Sequence, residues 1–148
     1  MLKLLDSLPA LSFPEKLAYL THRFLTLEQT ECPVTHTFKD GLYIREMTIP
    51  KDTLFIGRVH RHGHYCELVS GSVIHITEHE RHELKAPFSM KTTPGYQMAL
   101  YALEDVVGRT YHTDNGERDL EKLEDGIFES VESLRQLGAS IERRICQA

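Results

Sequence analysis

Apolar and polar side chains alternate in short runs through the middle of this chain and recur at steps of three and four toward both ends. Residues of equal parity on an extended strand share one face, so alternation predicts half-buried strands. The runs 42–49, 53–60, 72–77, 88–92, 96–103 and 106–113 follow that pattern. Lys39-Asp40-Gly41, Pro50-Lys51-Asp52, Ser70-Gly71, Pro94-Gly95 and Glu104-Asp105 separate them as turns. Residues 32–36 read as an extended connector, and 78–81 as a charged hairpin tip. Seven or eight short strands with no helical crossover predict an antiparallel sandwich or barrel.

The ends are helical. Ser12-Phe13-Pro14-Glu15 has the form of a capping box, and Leu17, Leu20, Phe24 and Leu27 continue at helical spacing to about residue 29. His22 and Arg23 fall off that stripe and read as a solvated face. Toward the other end, Asp119 is a candidate N-cap. Leu120, Leu123, Ile127, Val131, Leu134, Ile141 and Ile145 form a stripe with Gly138 in its one gap. This predicts one long helix, or two broken near Gly138.

At 148 residues the chain is expected to form a single domain. Its parts are a helical segment over 1–31, a barrel over 32–113 and a C-terminal helix over 114–148. The net charge of −5 and pI near 6.0 argue against nucleic acid as a partner. Cys32, Cys66 and Cys146 form neither a CxxC pair nor a disulfide framework, which suits a reducing cytoplasm. The stretch 1–6 is too soon interrupted by charge for a signal peptide, and no apolar run reaches membrane-spanning length.

Chemistry concentrates in His60-Arg61-His62-Gly63-His64-Tyr65-Cys66-Glu67. Three imidazoles and a carboxylate within eight residues are divalent-metal donors, suited to Zn, Mn, Fe or Ni. Gly63 predicts a bend that turns His60 and His64 into the barrel. His112 shares parity with Val106, Gly108 and Thr110 and becomes the third ligand if that face is inward. His62 and Glu67 are secondary candidates, with an outward imidazole and a surface acid as the competing readings. His75, His79 and His82 are expected to play no part, the last two being exposed. Cys66 reads as a buried inert thiol. Gln97, Tyr101 and Arg45 are possible pocket residues. No phosphate loop, nucleophile elbow or HExxH motif is present. A metal-free polar interior, with the histidines bonded to Tyr, Glu and water, remains the alternative.

The imidazole-rich run ahead of Leu68-Val69-Ser70-Gly71, with the later Pro94-Gly95 turn, resembles the cupin superfamily. Anchored on Gly71, the family's first motif puts its second histidine on His60, its first on Arg58 and its glutamate on His64. Gln97 and Met98 stand where the second motif has a histidine. A closer resemblance, over residues 32–124, is to small cupin-like proteins of tailed bacteriophages. It is carried by Cys32-Pro33-Val34-Thr35-His36, Gly41-Leu42-Tyr43-Ile44-Arg45-Glu46, Gly57-Arg58-Val59-His60, Tyr101-Ala102-Leu103-Glu104-Asp105 and Asp119-Leu120-Glu121-Lys122-Leu123-Glu124. The resemblance implies an all-β core, an antiparallel jelly-roll barrel flanked by an N-terminal helix and a long C-terminal helix. It also implies a phage or prophage source, hence a bacterial host cytoplasm, and no assigned activity.

The expected function is therefore a cupin-like protein binding a divalent metal, and a small molecule, in its barrel. The alternative is a metal-free binding or interaction protein that uses the barrel as scaffold. The long helical stripe and the edge strands of an open jelly roll both call for cover, which predicts a homodimer.

Overall fold

The computed structural model describes residues 6–8 and 10–147. Most of the apolar N-terminal stretch, and with it the argument against a signal peptide, lies outside the described residues. The chain forms two compact units. One comprises the two ends, up to Gln29 and from Ser130 on; the other is Thr30–Glu129.

The larger unit holds nine strands and one helix. The strands are β1 (Val34–Lys39), β2 (Leu42–Ile49), β3 (Leu54–Ile56), β4 (Tyr65–Ser70), β5 (Ser72–Ile76), β6 (Arg81–Lys85), β7 (Phe88–Lys91), β8 (Ala99–Ala102) and β9 (Val106–Thr113). They form two antiparallel sheets in the orders β1-β2-β9-β4-β7 and β3-β8-β5-β6. Setting β1 aside, these are the two four-stranded sheets of a jelly roll. The antiparallel jelly-roll fold expected from the sequence is present as two facing sheets, with the helical parts at the chain's ends.

Four strands depart from the sequence reading, β4 among them, since no predicted run covers residues 65–70. Residues 34–39 are a strand rather than a connector, because Asp40 and Gly41, at φ 53° and 78°, make a tight turn that folds them onto β2. The tip at 78–81 is narrower than expected: Thr77 and Glu80 close it, and β6 pairs with β5 in the register His75↔His82. The predicted run 53–60 is cut short. After Ile56 the chain leaves the sheet and its backbone meets the end of α1 (Leu120–Ile127), Arg61 N–H donating to Ile127 O at 2.8 Å and Glu129 N–H to Val59 O at 2.8 Å.

Between the sheets Ile49, Val73, Leu100, Ala102 and Val106 form the main core. Each such buried aliphatic side chain larger than Ala contributes roughly 1.5–3 kcal/mol. Tyr43, Leu123, Ile127 and Phe128 form a second cluster, which seats α1. Asp119 caps this helix as expected, accepting from the backbone N–H groups of Glu121 and Lys122.

The other unit pairs α2 (Phe13–Phe24) with α3 (Val131–Gln147). The Ser12 and Glu15 capping box is formed. The helix stops at Phe24 rather than near residue 29 because the Gln29 side-chain amide donates to Phe24 O at 2.6 Å and Leu27 O at 3.0 Å. His22 and Arg23 are engaged rather than merely solvated: Glu142 lies 2.7 Å from His22 Nε2 and 2.8 Å from Arg23 Nη1. The helical tail divides at residues 128–130, and Gly138 sits inside α3. It is there because a Cβ would stand 2.4 Å from Ala18 O and 2.6 Å from His22 Cβ. Among the described residues no helix is long and apolar enough to cross a membrane.

Candidate metal and ligand site

Three of the predicted site histidines come together in the larger unit. His60 follows the departure from β3 and bridges Phe128 through its backbone. Gly63 then lets the chain pass close to Thr92, whose carbonyl oxygen would lie 2.7 Å from a Cβ at this position. That approach places the Thr92 hydroxyl 2.9 Å from His64 Nδ1 and 3.1 Å from the His64 backbone nitrogen. His112 comes from β9, with Nε2 3.0 Å from Thr110 Oγ1.

Ring centroids are 3.9 Å apart for His60 and His64, 5.2 Å for His64 and His112, and 5.8 Å for His60 and His112. His60 and His64 are buried, and His112 is half-buried. Burial, reinforced by His64, His112 and Arg45, pushes the His60 imidazole down to about 3. Burial, then His64 and Arg45, takes His112 down to about 4, and burial lowers His64 as well. At neutral pH all three are uncharged bases.

Their hydrogen bonding is unequal. Thr92 and Thr110 occupy one nitrogen each of His64 and His112, whereas neither ring nitrogen of His60 has a partner in hydrogen-bond geometry, the nearby Arg58 backbone being the smallest influence on its basicity. Among the described residues, no group of three or more His, Cys, Asp or Glu side chains is arranged so as to hold a metal ion. The cluster is convergent in residues and donors without being a formed ligand set.

Of the secondary candidates, Glu67 lines the same inter-sheet cavity as His60 and His64, and His62 lines a second pocket with His112. His62 is exposed, its carbonyl oxygen 3.4 Å from His64 Nδ1. Glu67 accepts from the Tyr111 hydroxyl at 2.9 Å and pairs with Arg109 at 3.7 Å. Strand alternation puts it on the opposite face of β4 from Cys66.

The site opens on an inter-sheet cavity of about 290 Å³, lined by His60, His64 and Cys66 and by apolar side chains including Met47, Phe55, Leu68 and Leu100. Cys66 is buried, which raises its thiol to about 11 and keeps it protonated. His75, expected to be uninvolved, also lines this cavity, its Nε2 2.9 Å from the Tyr96 hydroxyl. His79 and His82 are exposed as expected. Of the three possible pocket residues Arg45 is one, while Tyr101 donates to Asp52 at 3.1 Å and Gln97 to Gly57 O at 2.9 Å.

Sequence reasoning missed Thr92 and Phe128, and it placed Thr110 on the face of His112 without reading it as that ring's partner. Arg58, which stands at the first histidine position of the cupin motif, lines the cavity too. Arg45 and Arg58 both lie over the Phe128 ring, 4.7 and 4.6 Å from its centroid. Phe128 comes from the helical tail, so no local motif announces it.

No protein-family model and no curated protein matches the chain. Solved structures do resemble it. An uncharacterized conserved protein with a double-stranded β-helix domain from Klebsiella pneumoniae is 13% identical, over 65% of this chain and 88% of that one, with a TM-score of 0.49. An RmlC-like cupin family protein from Methanocaldococcus jannaschii is 10% identical, over 66% and 89%, with a TM-score of 0.47. An HTH_3 family transcriptional regulator from Vibrio cholerae is 17% identical, over 56% of this chain, with a TM-score of 0.45, and the chain spans 51% of its length. At this level of likeness no activity passes from those proteins to this chain.

Proposed function

We propose that this chain is a cupin-like protein that binds a small molecule between its sheets, with His60 and His64 at the polar end of the cavity and His112 beside them holding a divalent metal. The observation that carries this reading is His60, whose two buried ring nitrogens have no partner although two more neutral imidazoles stand beside it. Leaving a buried polar group unpaired costs about 1–3 kcal/mol, so an occupant that takes one of these nitrogens stabilises the protein.

The donor chemistry fits Zn, Mn, Fe or Ni. Metal-bound histidine must be neutral, and burial keeps these three so. Thr92 and Thr110 each fix one ring nitrogen, which orients His64 and His112 and leaves Nε2 of the first and Nδ1 of the second for a ligand. A bound metal supplies Lewis acidity to an oxygen of the small molecule. The residues themselves orient that molecule and exclude water through the apolar wall.

A second reading, a metal-free binding or interaction protein, is favoured by the rings not standing in a formed ligand set. Elemental analysis of protein purified without an affinity tag separates the two. About one equivalent of metal per chain supports the first; substoichiometric metal, with unchanged thermal stability on adding each ion, supports the second. The proposal also takes in a bacteriophage or prophage source and a host cytoplasm, on the residue resemblance over 32–124. Homodimerisation rests on the exposed Leu25, Leu27, Leu137 and Ile145 of the helical unit.

A further inference from the structure

Four buried side-chain nitrogens lack a hydrogen-bond partner among the described residues: Nε of Arg45, Nε of Arg58 and both ring nitrogens of His60. All three residues line the same cavity, although these four nitrogens each expose almost no surface and meet an occupant only when their side chains shift. Arginine only donates, so whatever completes two of the three must offer hydrogen-bond acceptors.

The charges agree. Arg45 and Arg58 share one carboxylate, Glu124, at 3.4 and 3.7 Å. Two positive charges thus meet one negative charge. Arg109 also borders the cavity, where Glu46 at 2.8 Å and Glu67 at 3.7 Å answer it with two carboxylates, so around the whole cavity three arginines meet three glutamates. The shortage of counter-charge is therefore local to the Arg45 and Arg58 pair, which shares the single carboxylate of Glu124.

We infer that the small molecule taken by this cavity is an organic acid, its carboxylate held by Arg45 and Arg58 beside His60 and its apolar body lodged among Met47, Phe55, Leu68 and Leu100. A guanidinium presents a planar fork of donors that matches a carboxylate. The cavity, about 290 Å³, is near the lower end of ligand-site volumes, which suits a molecule of roughly six to ten carbons. The inference rests on the cavity being a ligand site and is independent of the metal.

The test is calorimetry on the full chain, treated with EDTA, using octanoate and the uncharged 1-octanol as probes. Octanoate is expected to bind at least tenfold more tightly than 1-octanol. Arg45→Gln and Arg58→Gln are each expected to weaken octanoate about tenfold and leave 1-octanol unchanged. Glu124→Gln removes the competing carboxylate and is expected to tighten octanoate severalfold, a gain that a poorly folded variant does not give. Equal affinity for the two probes, or octanoate affinity indifferent to both arginines, overturns the acid and leaves the ligand site standing. Octanoate binding that disappears with EDTA and returns with Zn, unaffected by the arginine variants, assigns the carboxylate to the metal and also overturns it. If neither probe binds or raises the melting temperature, the ligand-site reading fails and takes the inference with it.

Discussion

The imidazole of His60 lies on that of His64, ring centroids 3.9 Å apart and planes inclined by 24°. Neither ring accepts a proton readily in this setting, so the pair opposes acid. His60 is held at about 3 in the folded chain against an ordinary value of 6.5. Between those values the unfolded chain binds the proton and the folded chain does not, so stability is intact above pH 6.5 and is lost as pH falls toward 3. For EDTA-treated protein, urea denaturation at successive pH values is expected to show a slope of up to about 1.4 kcal/mol per pH unit from this group. His60→Phe keeps a ring and removes the titration. The slope should flatten in that variant, and an unchanged slope contradicts the assignment.

Thr92 acts through His64. Its hydroxyl reaches both the ring and the backbone nitrogen of that residue. Thr92→Val keeps the shape and loses both bonds, so a stability loss of about 1–2 kcal/mol is expected. Metal affinity should fall roughly 10- to 100-fold, as for other groups that orient a ligand. A loss of stability with metal affinity unchanged would make Thr92 structural only.

Two glycines in helices should respond in opposite directions. Gly138→Ala drives a methyl into the Ala18 carbonyl and is expected to cost about 1–3 kcal/mol, outweighing the better helix propensity. At Gly126 nothing lies within 4 Å of the added Cβ, and Gly126→Ala should gain up to about 1 kcal/mol. Denaturant midpoints of both variants check this; equal midpoints would contradict the close helix packing.

What the sequence revealed follows burial. β2 and β9 run where alternation put them: Tyr43 and Ile49 of β2 and Val106 of β9 are buried, and Leu42, Thr48 and Thr113 are exposed. β6 was hidden because only Leu84 among its residues is even partly buried, so its sequence carries little pattern. β1 alternates, but Pro33 and the short turn masked it. In the site, equal parity on β9 rightly put His112 with Thr110 on one face. The Arg45, Phe128 and Arg58 cluster was illegible, because it is assembled when residues 59–61 pair with 127–129, far apart in sequence.

The helical unit leaves Leu25, Leu27, Leu137 and Ile145 exposed, and a second copy is the expected cover. Sedimentation equilibrium should return twice the 17.0 kDa of one chain. A single-chain mass maintained to high micromolar concentration contradicts the dimer.

The histidine centre is tested most directly by thermal unfolding of untagged, EDTA-treated protein titrated with Zn, Mn, Fe or Ni, beside His60→Ala, His64→Ala and His112→Ala. A ligand that binds the folded chain at 100 times its Kd stabilises by about 2.7 kcal/mol. The wild-type chain should gain melting temperature with at least one of these ions. Each of the three variants should lose the gain, and His79→Ala and His82→Ala should keep it. A wild-type melting temperature indifferent to all four ions, or a full gain in His60→Ala, would contradict a metal centre built on His60.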